Sequence, residues 1–542
     1  VQLYDASRPS WYDYIVVGGG VAGTIVAGRL AERGHKVCLL EAGKSDRHPL
    51  VRIPAGFSSL MSSEHVAYYR LQAQAGLGGR ELDLPQGRIL GGGGSINAMV
   101  YIRGQAEDYD DWGRAAGHEW SFEALLPFFK SIERNSRGGG KYHGSKGPVG
   151  VSDIDYVSPL ARRFRQACRE LGHPDNDDFN GASQAGVGFC QITARNNRRS
   201  TYSLECFKRP ESRRNLDIRL QTAARKLILE DGRAIGVECI HGNAPVSLMA
   251  HCEVIVTAGA IETPKLLMMS GIGPASTLKE LGIVPVVDAP DTGSNLQDHC
   301  ETAILHGSGF NSDMGYFKEQ VGWRRMVNVM KYAMLGSGPL TSNGIEAHCF
   351  WASSLRGRPD LQFQFLPVAY LKKAGRPPEL HAGGSLYAAL LRPKSRGHVT
   401  LASAEWGDQA QVDPKYLDHP EDSRILLAGL KQARRIMAHP ALSGVLGSEQ
   451  SPGHSLTADE DLLGHIRSTA KSVYHPVGTC RMGTDRRSVV DPQLRVRGVS
   501  GLRVADASIM PTITSGNTAA PTMMIAEKAA SLLTQTTRSD RP

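Results

Sequence analysis

The sequence predicts an α/β composite fold, with one domain on a parallel βαβ core and a second on an antiparallel sheet flanked by helices. Three observations point there. An apolar run at 14–17 feeds a Gly-x-Gly-x-x-Gly turn and then a helical stretch. A second strand–turn–helix, "CEVIVTA" followed by "GAIETPKLLMMSGIGP" (259–274), stands in mid-chain, so the first domain is assembled from distant segments. The first half of "DLQFQFLPVAY" (360–370), and "GHVTLAS" after it, alternate apolar and polar residues as half-buried strands do.

The elements follow in order. The strand at 14–17 ends at Gly18, Gly20 and Gly23, and a helix over 21–33 turns Val26 and Leu30 to a sheet before Gly34 stops it. A second strand over 36–41 carries Glu41 at its end. The glycines permit a tight turn and a close approach of backbone to a pyrophosphate, and the helix start offers unpaired N–H groups to the anion. Glu41 is placed to accept hydrogen bonds from ribose hydroxyls. This is a Rossmann-like dinucleotide unit, and the fingerprint alone does not separate NAD from FAD. In "GRILGGGGSINAMVYIRG" (87–104) four glycines at 91–94 suit neither helix nor strand and fit backbone packed on a flat or charged ligand. Two helices are read over 106–134 and another over 158–171. The mid-chain helix runs from about 263 until 271–274 stop it. A last one over 423–437 carries Leu426, Leu430, Ala433 and Met437 on one face.

Composition narrows the function. The 542 residues suffice for two domains, and 41% hydrophobic content fits a globular protein. A net charge of +8 is mild, and the basic residues are not interleaved with aromatic platforms, so nucleic acid is excluded as a partner. Peripheral contact with anionic lipid stays open. Nine scattered cysteines with no CxxC pair argue against a disulfide framework or a metal site and for a reducing compartment. The expected location is cytoplasmic, with peripheral attachment to the inner membrane as the variant. The opening residues show no signal pattern, and a start without Met leaves room for a short leader ahead of Val1.

Taken together, the two glycine-rich stretches, "NLQDH" (295–299) and the C-terminal "VADASIMPTITSGNTAAPTMMIAEKAA" (504–530) resemble the glucose–methanol–choline (GMC) family of FAD-dependent oxidoreductases. "FNGASQAGVGFCQITARNNRRS" and "LRPKSRGHVTL" resemble its bacterial choline-dehydrogenase-like and L-sorbose-dehydrogenase-like members. The resemblance covers about residues 12 to 535 and implies an FAD-binding domain at 12–154, 215–305 and 469–535. A substrate domain is implied at 155–214 and 306–468.

The resemblance also assigns residues. In "SVYHPVGTCRMG" (472–483) it makes His475 the catalytic base, with Asn517 as its partner. It implies FAD contacts at Gly18, Gly20, Gly23, Glu41, Ala42, Arg88, Gly92, Ser95, Asn97, Val100, Ala258, Asp506, Ala507 and Thr518. Gly93 and Gly94 stand where many members have serines, so hydroxyl contacts are lost there. Ile96 stands where some relatives attach FAD through a histidine, so FAD is expected to be non-covalent. Lys226 falls where an apolar residue often meets the adenine side. On the substrate side Glu346 and Tyr474 are the candidates, and Phe365 is read as core.

The implied reaction removes a hydroxyl proton and a hydride from one carbon of a primary alcohol, polyol or sugar, the hydride going to flavin N5. His475 takes the proton, and Asn517 donates to the forming alkoxide. The alternative is a hydroxynitrile-lyase-like reaction on the same scaffold. Neither the alcohol, the electron acceptor nor the oligomeric state is readable.

Overall fold

The computed structural model describes residues 10–207, 214–309, 314–354, 357–371 and 379–539 of the chain. The strand Ser10–Val17 is buried from Tyr14 to its end and pairs in parallel with Val37–Leu40 on one side and Ala244–Val256 on the other. A strand enclosed in this way has no polar face, so its residues read as one apolar run. Leu216–Arg219 and Leu502–Val504 add further parallel strands, and Thr222–Glu230 and Arg233–His241 continue from Ala244–Val256 as an antiparallel meander.

The helix Val21–Glu32 packs Ile25, Val26, Ala27 and Leu30 into this sheet's core. It ends at Arg33, and Gly34 follows at φ +91°, a left-handed position that costs glycine nothing. The last helix, Ala519–Ser539, lies against it, and Arg29 pairs with Glu527 across the contact at 2.7 Å.

The second sheet is antiparallel. Its order is Leu446–Ser451, Cys300–Ser308, Gly383–Leu390, Leu361–Leu366, Ala347–Trp351 and Gly186–Phe189, with Lys471–Ser472 beside Cys300–Ser308. Alternation sorts its two faces. Ile304, Leu361, Phe363, Phe365, Leu386 and Ala388 form a core with the helices Pro159–Glu170 and Pro420–Met437. Phe365 stacks on Phe164 with ring centres 4.8 Å apart, a core position as expected. Glu301, Ala303, Leu305, Gln364, Leu366 and Tyr387 line the opposite face, toward the first sheet. Leu426, Leu430, Ala433 and Met437 are all buried on Pro420–Met437, which starts at His419 with Pro420 in its first turn.

Two expectations are corrected. The mid-chain helix spans Gly259–Met269 and so begins before residue 263, with Pro264 inside it. Proline cannot donate to the carbonyl of Ala260, and Thr479 Oγ donates there instead at 2.6 Å. In the four-glycine run only Gly91 and Gly92 are irregular, at φ +85° and +52°, and Gly93–Ile96 closes one helical turn. The strand Cys300–Ser308, which spans the expected boundary at 305, belongs to the second sheet. The helix Tyr202–Cys206 packs Tyr202 and Cys206 into the first core.

Candidate active site

Between the two sheets lies a cavity of about 1740 Å³. Glycine turns form one wall. Gly91 N donates to Gly19 O at 2.7 Å, and a Cβ on Gly92 would lie 2.8 Å from the Cα of Gly20. The two glycine motifs therefore interlock, and only glycine fits where they touch. Gly23 lets its helix close on the strand, since a Cβ there would lie 1.9 Å from Gly18 O. Around Gly20 a Cβ would meet nothing within 4 Å, so this peptide lies open beside the uncapped start of the helix Val21–Glu32. An open, uncapped helix start of this kind accepts a pyrophosphate.

Two carboxylates brace the wall. Glu41 Oε2 accepts from Gly19 N at 3.0 Å and its Oε1 from Gly43 N at 2.7 Å. Burial pushes its carboxyl up to about 7, against those two N–H groups and nearby Arg88. Asp506 Oδ2 accepts from Gly259 N at 2.8 Å and Thr263 Oγ at 2.7 Å, and its Oδ1 accepts from Ser508 N at 2.8 Å. It thus ties the mid-chain turn to the C-terminal segment. Behind the glycines Arg199 is fully buried. Its guanidinium donates to Val51 O, Gly94 O, Asn97 O and Asn97 Oδ1 at 2.6–2.9 Å, and burial among these neutral acceptors lowers it to about 9.

Gly18, Gly20, Glu41, Ala42, Arg88, Gly92, Asn97, Val100, Ala258, Asp506, Ala507 and Thr518 all line the cavity, as do His475, Asn517 and Tyr474. The remaining three candidates do not. Gly23 acts through packing. Ser95 turns its hydroxyl to Leu90 O at 2.7 Å. Glu346 is fully buried away from the cavity, accepting from Ser158 N at 2.7 Å and Ser342 Oγ at 2.9 Å. Its place is structural, joining a loop to the start of the helix Pro159–Glu170. Lys226 does not line the cavity either, whereas Thr222, Ala223, Ala224 and Arg225 do. With its open glycine cradle, uncapped helix start and ribose-side carboxylate, the cavity fits FAD.

The reactive corner is built on histidines. His475 Nε2 lies 3.3 Å from Asn517 Nδ2, and its Nδ1 lies 2.9 Å from His299 Nδ1. His299 Nε2 lies 3.0 Å from Leu391 O. A carbonyl only accepts, so His299 carries its proton on Nε2 and offers a lone pair on Nδ1. His475 then donates from Nδ1 and keeps the lone pair on Nε2. Burial lowers His299 to about 4, and burial followed by His299 lowers His475 well below an ordinary imidazole, so both rings are neutral near pH 7. Asn517 Oδ1 faces Gln362 Nε2 at 3.5 Å, which leaves its Nδ2 toward His475.

Asp298 fixes the backbone of this corner. Its Oδ1 accepts from His475 N at 2.8 Å, and its Oδ2 accepts from the hydroxyls of Ser472 and Tyr416, each at 2.5 Å. Burial still raises it to about 6. Ser472 Oγ accepts from Tyr474 N at 2.7 Å and so helps hold Tyr474 at φ +68°, a conformation unusual for a bulky residue. Tyr474 is exposed at the cavity wall.

Several residues here carry no role in the sequence reading. His299 and Asp298 lie within the quoted "NLQDH", so the signal was present. Glu301, Lys471, Gln362 and Gln364 reach the site only through strand pairing across long stretches of chain, and nothing local marks them. Lys471 pairs with Glu301 at 3.3 Å and stands 4.9 Å from the ring centre of Tyr387.

The comparisons agree with this geometry. The GMC oxidoreductase family matches in two parts, over residues 12–301 and 393–526. The chain is 43% identical to the alcohol dehydrogenase [acceptor] of Pseudomonas putida, covering 96% of this chain and 95% of the relative. It is 37% identical to the oxygen-dependent choline dehydrogenase of Photobacterium profundum, covering 96% and 92%. Among solved structures, pyridoxine 4-oxidase from Mesorbium loti superposes with TM-score 0.87 at 31% identity, covering 98% of this chain and all of that one. Formate oxidase from Aspergillus oryzae, at 24% identity over 98% and 99%, shares the fold with TM-score 0.90. The chain belongs to the GMC oxidoreductases and is an FAD-dependent enzyme that oxidises an alcohol.

Proposed function

We propose that the substrate is an uncharged primary alcohol, taken to the aldehyde with His475 as proton acceptor and Asn517 as donor to the substrate oxygen. The observation that carries this is the fixed tautomer of His475, whose Nε2 lone pair stands beside Asn517 Nδ2 in the cavity. His475 withdraws the hydroxyl proton at Nε2 while Asn517 Nδ2 holds the oxygen. FAD, held by the glycine turns, supplies the hydride acceptor when bound. His299 holds the ring so that the proton can arrive at one nitrogen only.

The wall favours a neutral substrate. Ala303, Leu305, Ile345 and Leu366 are apolar, and Glu301 is already neutralised by Lys471. Lys471 also takes the face of Tyr387 where a cationic substrate would bind. A polyol is the second reading. Gln364 lines the cavity with Nε2 unpartnered, a donor that suits a second hydroxyl. The reoxidising partner is oxygen, a quinone or another carrier. Nine free cysteines fit a reducing, cytoplasmic setting, and peripheral contact at a membrane is a separate part of this reading.

The test is anaerobic mixing with aliphatic and aryl alcohols, sorbose and choline, read by flavin bleaching. Neutral primary alcohols should bleach the flavin fastest. Choline leading the series would reject the neutral-substrate reading, and a flavin that stays yellow with every alcohol would reject oxidation.

A further inference from the structure

We propose that the helix Gly322–Leu335 is a docking element that lays the enzyme on an anionic lipid bilayer. Its amphipathicity is inverted. The only residues it buries are polar at their tips, Asn328 and Tyr332. Asn328 Nδ2 donates to Glu319 O at 3.0 Å and to Glu319 Oε2 at 2.9 Å. Tyr332 OH donates to Asn197 O at 3.0 Å, and Asn197 Nδ2 donates to Gly336 O at 2.9 Å. The helix is thus pinned by its polar side. Facing outward are Trp323, Met326, Met330 and Met334, which are 70%, 70%, 59% and 78% exposed. Their spacing of three, seven and eleven residues from Trp323 makes one continuous stripe. A contiguous apolar stripe of this kind marks an interaction surface.

The charge pattern selects lipid as the occupant. The helix carries Arg324, Arg325 and Lys331 and no acidic residue. At helical spacing Arg324 and Lys331 run along one edge of the stripe, and Arg325 lies toward the back, near the side that carries Tyr332. Exposed Arg198 adds a positive charge beside Tyr332. Glu319, the acid next to the helix, is paired with Arg324 at 3.2 Å. An apolar stripe that carries tryptophan and has basic residues along one edge combines the two signals that hold a helix in the plane of an anionic membrane surface. Among the described residues no helix is long and apolar enough to cross a membrane, so the attachment is peripheral.

Docking also orients the active site. The helix leads into the turn Pro339–Thr341, which packs on Pro54–Gly56, and the next residues Phe57, Ser58 and Met61 line the cavity. The docked helix is thus linked through one turn to a part of the cavity wall. The inference rests on the peripheral contact of the proposed function and names its surface; it does not depend on which alcohol is oxidised.

The test is flotation of the FAD-loaded enzyme with vesicles of phosphatidylglycerol and phosphatidylethanolamine, or of phosphatidylcholine alone. Wild type should float with the anionic vesicles and bind phosphatidylcholine at least about tenfold more weakly. Trp323→Glu with Met330→Glu should weaken anionic binding at least about tenfold, while flavin content and anaerobic reduction by a soluble alcohol stay unchanged. Lys331→Glu should weaken it and reduce its salt dependence. Anionic binding that survives the Trp323/Met330 change would keep the peripheral contact and reject this helix. No binding to either vesicle would reject both. A solution dimer that the same change splits, without vesicle binding, would give the stripe to a second copy and also overturn the proposal.

Discussion

His299 and His475 meet Nδ1 to Nδ1 at 2.9 Å, with their rings 88° apart. One of the two nitrogens must carry a hydrogen and the other a lone pair. Leu391 O decides which, because it claims the Nε2 hydrogen of His299. A backbone carbonyl just past the strand Gly383–Leu390 thereby sets the proton inventory of a ring that lines the flavin cavity.

This relation gives a pH signature. His475 must be neutral to accept a proton, and burial and then His299 hold it well below 6.5. The low-pH limb of kcat/KM in wild type should therefore lie below pH 6.5. His299→Gln removes the second cause, so the limb should move upward. The rate above the limb should fall about 10- to 10²-fold, a part of what general-base assistance supplies. Equal limbs and equal rates in the two proteins would remove His299 as a positioning residue.

The legible parts of the sequence were those where a residue's job is local. The run at 14–17 is apolar because both of its neighbours are strands, and Gly18 and Gly23 sit where the turn and the helix contact leave no room for a Cβ. Leu426, Leu430, Ala433 and Met437 kept helical period and are buried together. The surroundings of Glu346 and the start of the helix Gly259–Met269 come from far along the chain. Ser158 N, 188 residues away, claims Glu346, and Thr479 repairs the helix around Pro264. Gln364 and Lys471 face the cavity because of strand register, which no short segment encodes.

Glu346 supplies a second test. Glu346→Gln replaces one carboxylate oxygen by an NH2 group that cannot accept from Ser158 N or Ser342 Oγ. One buried donor is left unpaired, at a cost of about 1–3 kcal/mol. Denaturant unfolding should show that loss, while KM for the alcohol stays at the wild-type value. A raised KM with unchanged stability would return Glu346 to the substrate site.

The flavin linkage is a third. Ile96 lines the cavity with an aliphatic side chain and no nucleophile. Acid precipitation should leave the pellet colourless and the supernatant yellow. Flavin that stays with the pellet would point to a bond through another residue.

The catalytic pair is the most decisive case. General-base assistance contributes about 10²–10⁴-fold, so His475→Ala should slow anaerobic flavin reduction by that factor while FAD stays bound. Asn517→Ala should cost less, about 10- to 10³-fold, since it removes one donor to the oxygen. His475 N is held by Asp298 and its Nε2 by Asn517, so neither change disturbs the glycine turns that carry the cofactor. His475→Ala should also lose the low-pH limb, whereas Asn517→Ala should keep it, because the base remains. Reduction must be followed directly, since steady-state turnover also includes the electron acceptor. If His475→Ala reduced its flavin as fast as wild type, proton transfer would belong elsewhere, and the lone pair that His299 and Leu391 fix on Nε2 would have no part in the reaction.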